Sequence, residues 1–459
     1  MKLKLDENWT TTNNGYPLND AEVARYNAVL PSQRQILQSQ NPFYCFIHYG
    51  MNTATGREWG NATETVKDFD ITKIKPVQWV KAIKASGASG IILTCKHHDG
   101  FCLWDTKQTD FNVMNTALGI DIVKAVSDEC RLQDMKFGVY LSPWDMHEKC
   151  YATEQYNDYF CAQLTELLTN YGEVFEVWFD GAKGAGAKAF EYDWERYYAL
   201  IRELQPKANI AVCGPDVRWV GNEAGKCRKS EFSVVPSSLT LSEAVQKKSQ
   251  QTVEGAKALQ NVKTGDEDLG SRAVLKKADS LCWYPAEVDV SIRKGWFNPG
   301  GGTRTVKSAN KLFKIYKGSV GNNCYLLLNV PPCKEGTIQA KDAMALRSLG
   351  EKIKRMTQNA VIDQKFGALK DTDGYLEFNF DTPKKLKYAV LSEDIAYGQR
   401  IEKFDLYLKR PNGRYKKAYS GTIVGMKKII KLRGKASGAI LVIRQSRSNP
   451  IIKQIAFYD

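Results

Sequence analysis

The chain's 459 residues include four histidines, and each falls at or just beyond the end of an apolar run. His48 closes FYCFIHYG, His97 and His98 close GIILTCKHH, and His147 follows KFGVYLSP after WDM. Carboxylates collect at the same places: Glu58, Asp99, Asp145, Asp180 and Glu223. So do the rings of Trp59, Trp104, Tyr140, Trp144 and Trp178. One such residue alone would be read first as core packing. Gathered at one mouth, the set suits a sugar, whose apolar faces pack on rings while its hydroxyls need convergent donors and acceptors. Asp180 ends the buried run EVFEVWFDG. A carboxylate there is partly desolvated and aimed outward, and its plainer role is to cap the next turn.

These positions share a face only if the runs are strands of one sheet. From residue 43 onward short apolar runs at 43–50, 90–98, 136–143, 173–181 and 209–217 alternate with stretches of helical spacing at 76–87 and near 121–133, 154–171 and 192–204. Near-continuous apolar strands alternating with helices predict a parallel sheet covered on its faces. No GxGxxG or GxxxxGK[ST] follows the first strand, so a nucleotide-binding doubly wound sheet is disfavoured. A (β/α)8 barrel of the TIM type, an α/β fold, is the expected architecture, and it would put the histidines at the C-terminal face where such barrels carry their sites. Strand patterns resume at 282–292 and 323–332, and a helix is expected near 340–356. The intervening 224–280 is rich in Lys, Ser and Gln and reads as an irregular insertion. After residue 356 the period becomes two, with turns at DTDG, RPNG and RGKASG, which predicts a C-terminal β-sandwich over 357–459 behind a barrel domain over 1–356.

Composition bounds the alternatives. Hydrophobic content of 43% and aromatic content of 11% are ordinary for a globular chain. Of the net charge of +14, residues 361–459 contribute +10, from 20 Lys+Arg against 10 Asp+Glu. No nucleic-acid-binding motif accompanies that charge. The expectation is therefore no nucleic-acid partner, with weak electrostatic association with anionic surfaces through the β domain. No run approaches the length of a membrane span. The eleven cysteines are irregularly spaced and contain no CxxC pair, which argues against structural zinc and for free thiols in a reducing compartment. The start MKLKLDENWT has no apolar signal region. The expected location is cytoplasmic, or secreted with a signal peptide absent from this sequence.

Seven ordered motifs carry a resemblance. FIHYGMNTATGREWG, GIILTCKHHDGFCLW, GVYLSPWDMH, EVWFDGA, GPDVRWVGNEAG, AEVDVSIRKGWF and NNCYLLLNVPP resemble, in that order, the α-L-fucosidases of glycoside hydrolase family 29, over about residues 40–335. GPDVRWVGNEAG and AEVDVSIRKGWF look like the branch that acts on α-1,3/1,4-linked fucose of Lewis-type glycans. The resemblance implies a retaining exo-glycosidase with Asp180 as nucleophile and Glu223 as acid/base. It implies a fucose pocket of His48, Glu58, Trp59, His97, His98 and Tyr140, with Trp178 beside the nucleophile. Trp296 would face the C6 methyl, and Arg218 would help orient carboxylates or substrate. Lys294 stands where the family motif has proline, and DMHEKC departs from the common loop.

The chemistry that follows needs one carboxylate to attack and one protonated carboxyl to expel the leaving oxygen, with no metal or organic cofactor. From the residues alone, Glu287 and Asp289 remain open as the acid/base beside Glu223. Asp145, Glu287 and Asp289 are candidates for the aglycone side. The other readings are a fucose-binding protein without catalysis and a retaining glycosidase for another sugar such as galactose.

Overall fold

Runs rich in Ile, Val, Leu, Phe and Tyr form the central sheet of the computed structural model, which describes residues 18–184, 190–240, 268–300, 306–368 and 375–459. The strands, in chain order, are β1 (Phe43–Ile47), β2 (Gly90–Lys96), β3 (Lys136–Leu141), β4 (Glu176–Phe179), β5 (Asn209–Val212), β6 (Arg218–Trp219), β7 (Val234–Pro236), β8 (Leu281–Trp283), β9 (Ala286–Ser291) and β10 (Tyr325–Asn329). Eight of them pair in parallel in the order β5-β4-β3-β2-β1-β10-β9-β6. The Val212 N–H bonds the Val217 carbonyl at 2.9 Å, and an Ala211–Val217 bridge brings β5 up to β6. The sheet thus curls into a nearly closed barrel, as the alternation of runs led us to expect. β7 and β8 form a separate antiparallel ribbon.

Two boundaries differ from the expectation. Residues 209–217 are not one strand: β5 stops at Val212, and β6 begins at Arg218 with no helix between. Val212 itself takes φ +67°, a conformation costly for a β-branched residue, and this kink carries the chain from one strand to the next. The run 282–292 is likewise two strands. Pro285, with no N–H to donate, separates β8 from β9.

Helices cover the outside of the barrel. Ile122–Leu132 shows why: Asp121 caps it by accepting from the Lys124 N–H, and Ile122, Val123, Val126 and Cys130 form its buried stripe. Helix Gln33–Ser39 starts at a Ser32/Gln35 capping box and buries Gln35 and Gln38. Gln38 hydrogen-bonds Tyr44 and Glu176 at the base of strands β1 and β4. All eleven cysteines are free. None of the described helices is long and apolar enough to cross a membrane.

Helix Ala340–Met356 ends the barrel part. Beyond it come β11 (Ala360–Lys365), β12 (Tyr375–Lys385), β13 (Tyr388–Glu393), β14 (Ile401–Lys409), β15 (Tyr415–Gly421), β16 (Lys428–Lys431), β17 (Lys435–Ser446) and β18 (Ile452–Tyr458). They make two antiparallel sheets, β11-β18-β13-β16 and β12-β17-β14-β15, around a core that includes Phe378, Leu391, Phe404, Leu441 and Phe457. This is a β-sandwich. Of the expected insertion 224–280, residues 241–267 lie outside the described residues. The remainder holds β7 and helix Arg272–Leu275. Glu402 of the sandwich, paired with Arg272 and Arg447, ties this segment down.

Candidate functional site

Period-two geometry on β4 decides what faces inward. Val177 and Phe179 pack outward under the helices, whereas Trp178 joins the cluster inside the barrel. Asp180 follows on the inward side, just past the strand end. β1 brings His48 to the same end, β2 brings His97 and His98, and β9 brings Asp289 and Ser291. The loops after β1, β6 and β9 add Glu58 with Trp59, Glu223, and Trp296. Together they line a cavity of about 700 Å³.

Asp180 is held by two donors. The Tyr140 hydroxyl bonds Oδ2 at 3.1 Å and the Ala182 N–H bonds Oδ1 at 2.8 Å. His98 Nε2 lies 3.7 Å from Oδ2, and the carboxylate side chain keeps 26% of its surface exposed to the cavity mouth. The bond from Ala182 is the local cap expected from sequence. It leaves the carboxylate accessible.

The hydrogen-bond network assigns the histidine tautomers. Asn329 Nδ2 donates to the Trp296 carbonyl at 2.8 Å, so its Oδ1 is the atom 3.0 Å from His48 Nδ1. His48 therefore carries its proton on Nδ1 and leaves Nε2 as an acceptor. Asn52 Nδ2 donates to Asp99 Oδ2 at 2.9 Å and faces His97 Nδ1 at 3.4 Å, so His97 carries its proton on Nε2. His98 Nδ1 bonds Ser142 Oγ at 2.7 Å, and that hydroxyl donates onward to the Trp144 carbonyl at 2.6 Å. His98 Nε2 is thus an acceptor. Burial pushes the His48 pKa down to about 3. Burial and the neighbouring imidazoles hold His97 well below the ordinary value. Burial also lowers His98, against the opposing charge of Asp180. Three neutral imidazoles then present acceptor, donor and acceptor, a pattern that reads hydroxyl groups.

Trp296 joins two of the other three cavity carboxylates. Its backbone N–H bonds Glu58 Oε2 at 2.6 Å and its indole N–H bonds Glu223 Oε2 at 3.2 Å. Asp289 accepts the Trp219 indole N–H at 2.9 Å. Burial, then the charge of Glu223, keeps the Asp289 proton well above the usual carboxylate range. The walls are aromatic: Trp178 stacks on Tyr140 at 5.2 Å, His48 meets Trp296 at 4.9 Å, and Trp59 lies edge-on to His98 at 5.6 Å.

Other expected residues are not brought to the cavity. His147 stacks on Phe111 at 3.9 Å. Trp104 is buried and donates to Glu166 at 2.8 Å. Asp99 is buried and accepts from Phe101 and Asn52. Arg218 pairs with Glu231 at 2.7 Å and donates to the Tyr284 carbonyl at 3.0 Å, so its guanidinium is committed behind the wall. Of the three aglycone-side candidates, Asp289 alone lines the cavity. Asp145 pairs with Lys96 at 2.8 Å in the interior, and Glu287 is fully buried beneath Trp178. Asn329, Ser142 and Asn52 were not singled out from sequence. Asn329 had a readable sign, since it is a polar residue closing the apolar run YLLLN.

Residues 33–358 match the family model for alpha-L-fucosidase. The Arabidopsis thaliana protein alpha-L-fucosidase 1 is 34% identical, over 94% of this chain and 87% of its own length. A glycoside hydrolase 29 family member from an unknown rumen bacterium has a TM-score of 0.78 at 32% identity, over 94% of this chain and 77% of that one. A Ruminococcus gnavus GH29 fucosidase, solved in complex with fucose, has a TM-score of 0.79 at 26% identity, over 98% of both chains.

Proposed function

Because this chain belongs to the α-L-fucosidase family, glycoside hydrolase family 29, we propose that it releases terminal α-1,3- and α-1,4-linked L-fucose with retention of configuration. The α-L-fucosidase activity comes with the family. The linkage, the stereochemistry and the residue roles are our reading. One observation carries it: Asp180, tethered by Tyr140 and Ala182, and Glu223, held by Trp296, line one aromatic cavity.

Asp180 attacks the anomeric carbon. The bond from that carbon to the departing oxygen breaks as the Glu223 proton moves to that oxygen. A fucosyl ester of Asp180 results. Glu223, now a carboxylate, takes a proton from water, whose oxygen bonds the same carbon and releases Asp180. His48, His97 and His98 read the sugar hydroxyls, and Trp296 packs the C6 methyl. The motif pair GPDVRWVGNEAG and AEVDVSIRKGWF supports the α-1,3/1,4 preference. A second reading gives the acid role to Asp289, because it lines the same cavity and holds its proton. Glu287 loses its claim through full burial.

The test incubates the protein with 3-fucosyllactose, Lewis a and Lewis x trisaccharides, 2′-fucosyllactose and an aryl α-L-fucoside. Liberated fucose is quantified and its anomer followed by NMR at early times. The expected result is faster release from the α-1,3 and α-1,4 compounds with α-fucose formed first. Preference for the α-1,2 compound overturns the linkage, and β-fucose formed first overturns retention.

A further inference from the structure

Under the floor of the cavity lies a second pair of carboxyl groups. Glu176 on β4 and Glu287 on β9 are both fully buried. The Trp178 indole N–H bonds Glu287 Oε1 at 2.8 Å, and the Tyr44 hydroxyl donates to Glu287 Oε2. Gln38 Nε2 donates to Glu176 Oε2 and, at 2.8 Å, to the Tyr44 oxygen. Tyr44 and Gln38 thus link the two carboxyl groups into one buried network. Two carboxylates so linked in a dry interior do not both ionise, so one of the pair holds a proton.

The surroundings say where. Glu176 Oε1 is buried without a hydrogen-bond partner, which suits a neutral carboxyl better than a carboxylate. Glu287 is the acceptor of Tyr44 and of Trp178, one donor on each oxygen. Burial raises both groups, and the charge of Glu287 opposes the ionisation of Glu176. A donor on each oxygen of Glu287, against an unpartnered oxygen on Glu176, places the single negative charge of the pair on Glu287. Among the described residues, no Lys or Arg forms an ion pair with either group. A charge that is not neutralised is felt across a low-dielectric interior.

Trp178 separates that charge from the sugar. It is 6% exposed, lines the cavity beside Asp180, and stacks on the Tyr140 that donates to Asp180. We propose that Glu287 is a positioning residue acting through Trp178: its carboxylate fixes the indole and enriches the ring face in electron density, so that the ring stabilises positive charge developing on the fucose ring. This rests on the glycosidase reading above. A hydrogen bond from the indole N–H to an anion pushes electron density into the ring, and an electron-rich face attracts cations. The bound sugar is neutral and gains little; the oxocarbenium-like transition state gains more, so the effect belongs to kcat.

The test compares inhibition by fucose with inhibition by its iminosugar analogue, a cation at neutral pH, alongside kcat and KM for an aryl α-L-fucoside. Glu287→Gln should weaken the iminosugar about tenfold more than fucose, with a similar fall in kcat and little change in KM. Trp178→Phe keeps a ring but breaks the N–H link, and should show the same split. Glu176→Gln replaces a neutral carboxyl by a neutral amide, leaves the charge on Glu287, and should retain the wild-type preference for the cation. Equal loss of both inhibitors in Glu287→Gln and Trp178→Phe, or no loss, overturns the role of Glu287 while wild-type turnover keeps the glycosidase reading standing. A wild type that releases fucose from neither the aryl fucoside nor 3-fucosyllactose overturns that reading itself.

Discussion

Asn329 Oδ1 accepts two hydrogen bonds from His48, from the backbone N–H at 3.2 Å and from Nδ1 at 3.0 Å. The other end of the same amide donates to Trp296 and Ser291. One side chain at the end of β10 thereby fixes the tautomer of His48 and the loop that carries Trp296. Asn329→Leu should lower kcat/KM for an aryl fucoside by about 10- to 100-fold, the range known for partners that orient metal-bound histidines. Asn329→Asp keeps the acceptor for His48 and should lose less. Steady-state kinetics on variants of matched melting temperature decide this, and a Leu variant within twofold of wild type removes the orienting role.

Asp180→Ala should cut turnover by several orders of magnitude and leave the fold intact, because its carboxylate is partly exposed at a cavity and its neighbours Tyr140, Ala182 and His98 lie at the cavity edge. Azide should restore part of the activity by occupying the vacated face, yielding a β-fucosyl azide. Product analysis by NMR checks it. A well-folded variant with undiminished activity ends the assignment.

The fold was legible where burial is two-sided. β1, β2, β3 and β10 read as continuous apolar runs because helices cover one face and the barrel interior the other. β6 was not legible, because two residues carry no period. The site was legible where residue type and strand end coincide, as at His48, His97, His98 and Asp180. It failed at Asp145 and Arg218, whose partners Lys96 and Glu231 come from distant sequence. No local pattern says whether a charged side chain will be spent on an interior ion pair.

Asp99 offers a test by pH. Burial pushes its pKa up to about 7, against about 4 in an unfolded chain. Between these values the folded chain holds a proton that the unfolded chain has lost. Its contribution therefore favours folding at the low end of the window and falls as pH rises through it. Asp99→Asn abolishes this titration, although the changed bond to Asn52 adds a constant offset. The melting temperature of the variant minus that of wild type should rise from pH 5 to pH 8. Thermal unfolding of both proteins across that range measures it, and a flat or falling difference refutes the buried acid.

The acid/base can be assigned by leaving-group dependence. Glu223 and Asp289 line the same cavity, but they differ in what holds them. Glu223 takes a hydrogen bond from Trp296, the residue assigned to the sugar methyl, whereas Asp289 takes one from Trp219. A group that protonates the departing oxygen matters most when that oxygen is a strong base and hardly at all when it leaves as a stable phenolate. Glu223→Gln should therefore lower kcat/KM on 3-fucosyllactose by about 10²-fold or more while sparing the 4-nitrophenyl fucoside. Asp289→Asn removes a neutral carboxyl and should affect both substrates alike, through the placement of Trp219 and the field at Glu223. The ratio of the two losses is the readout, since it cancels general damage to the cavity. If the large ratio belongs to Asp289→Asn instead, the proton comes from Asp289, and Glu223 becomes the group whose charge keeps that proton in place.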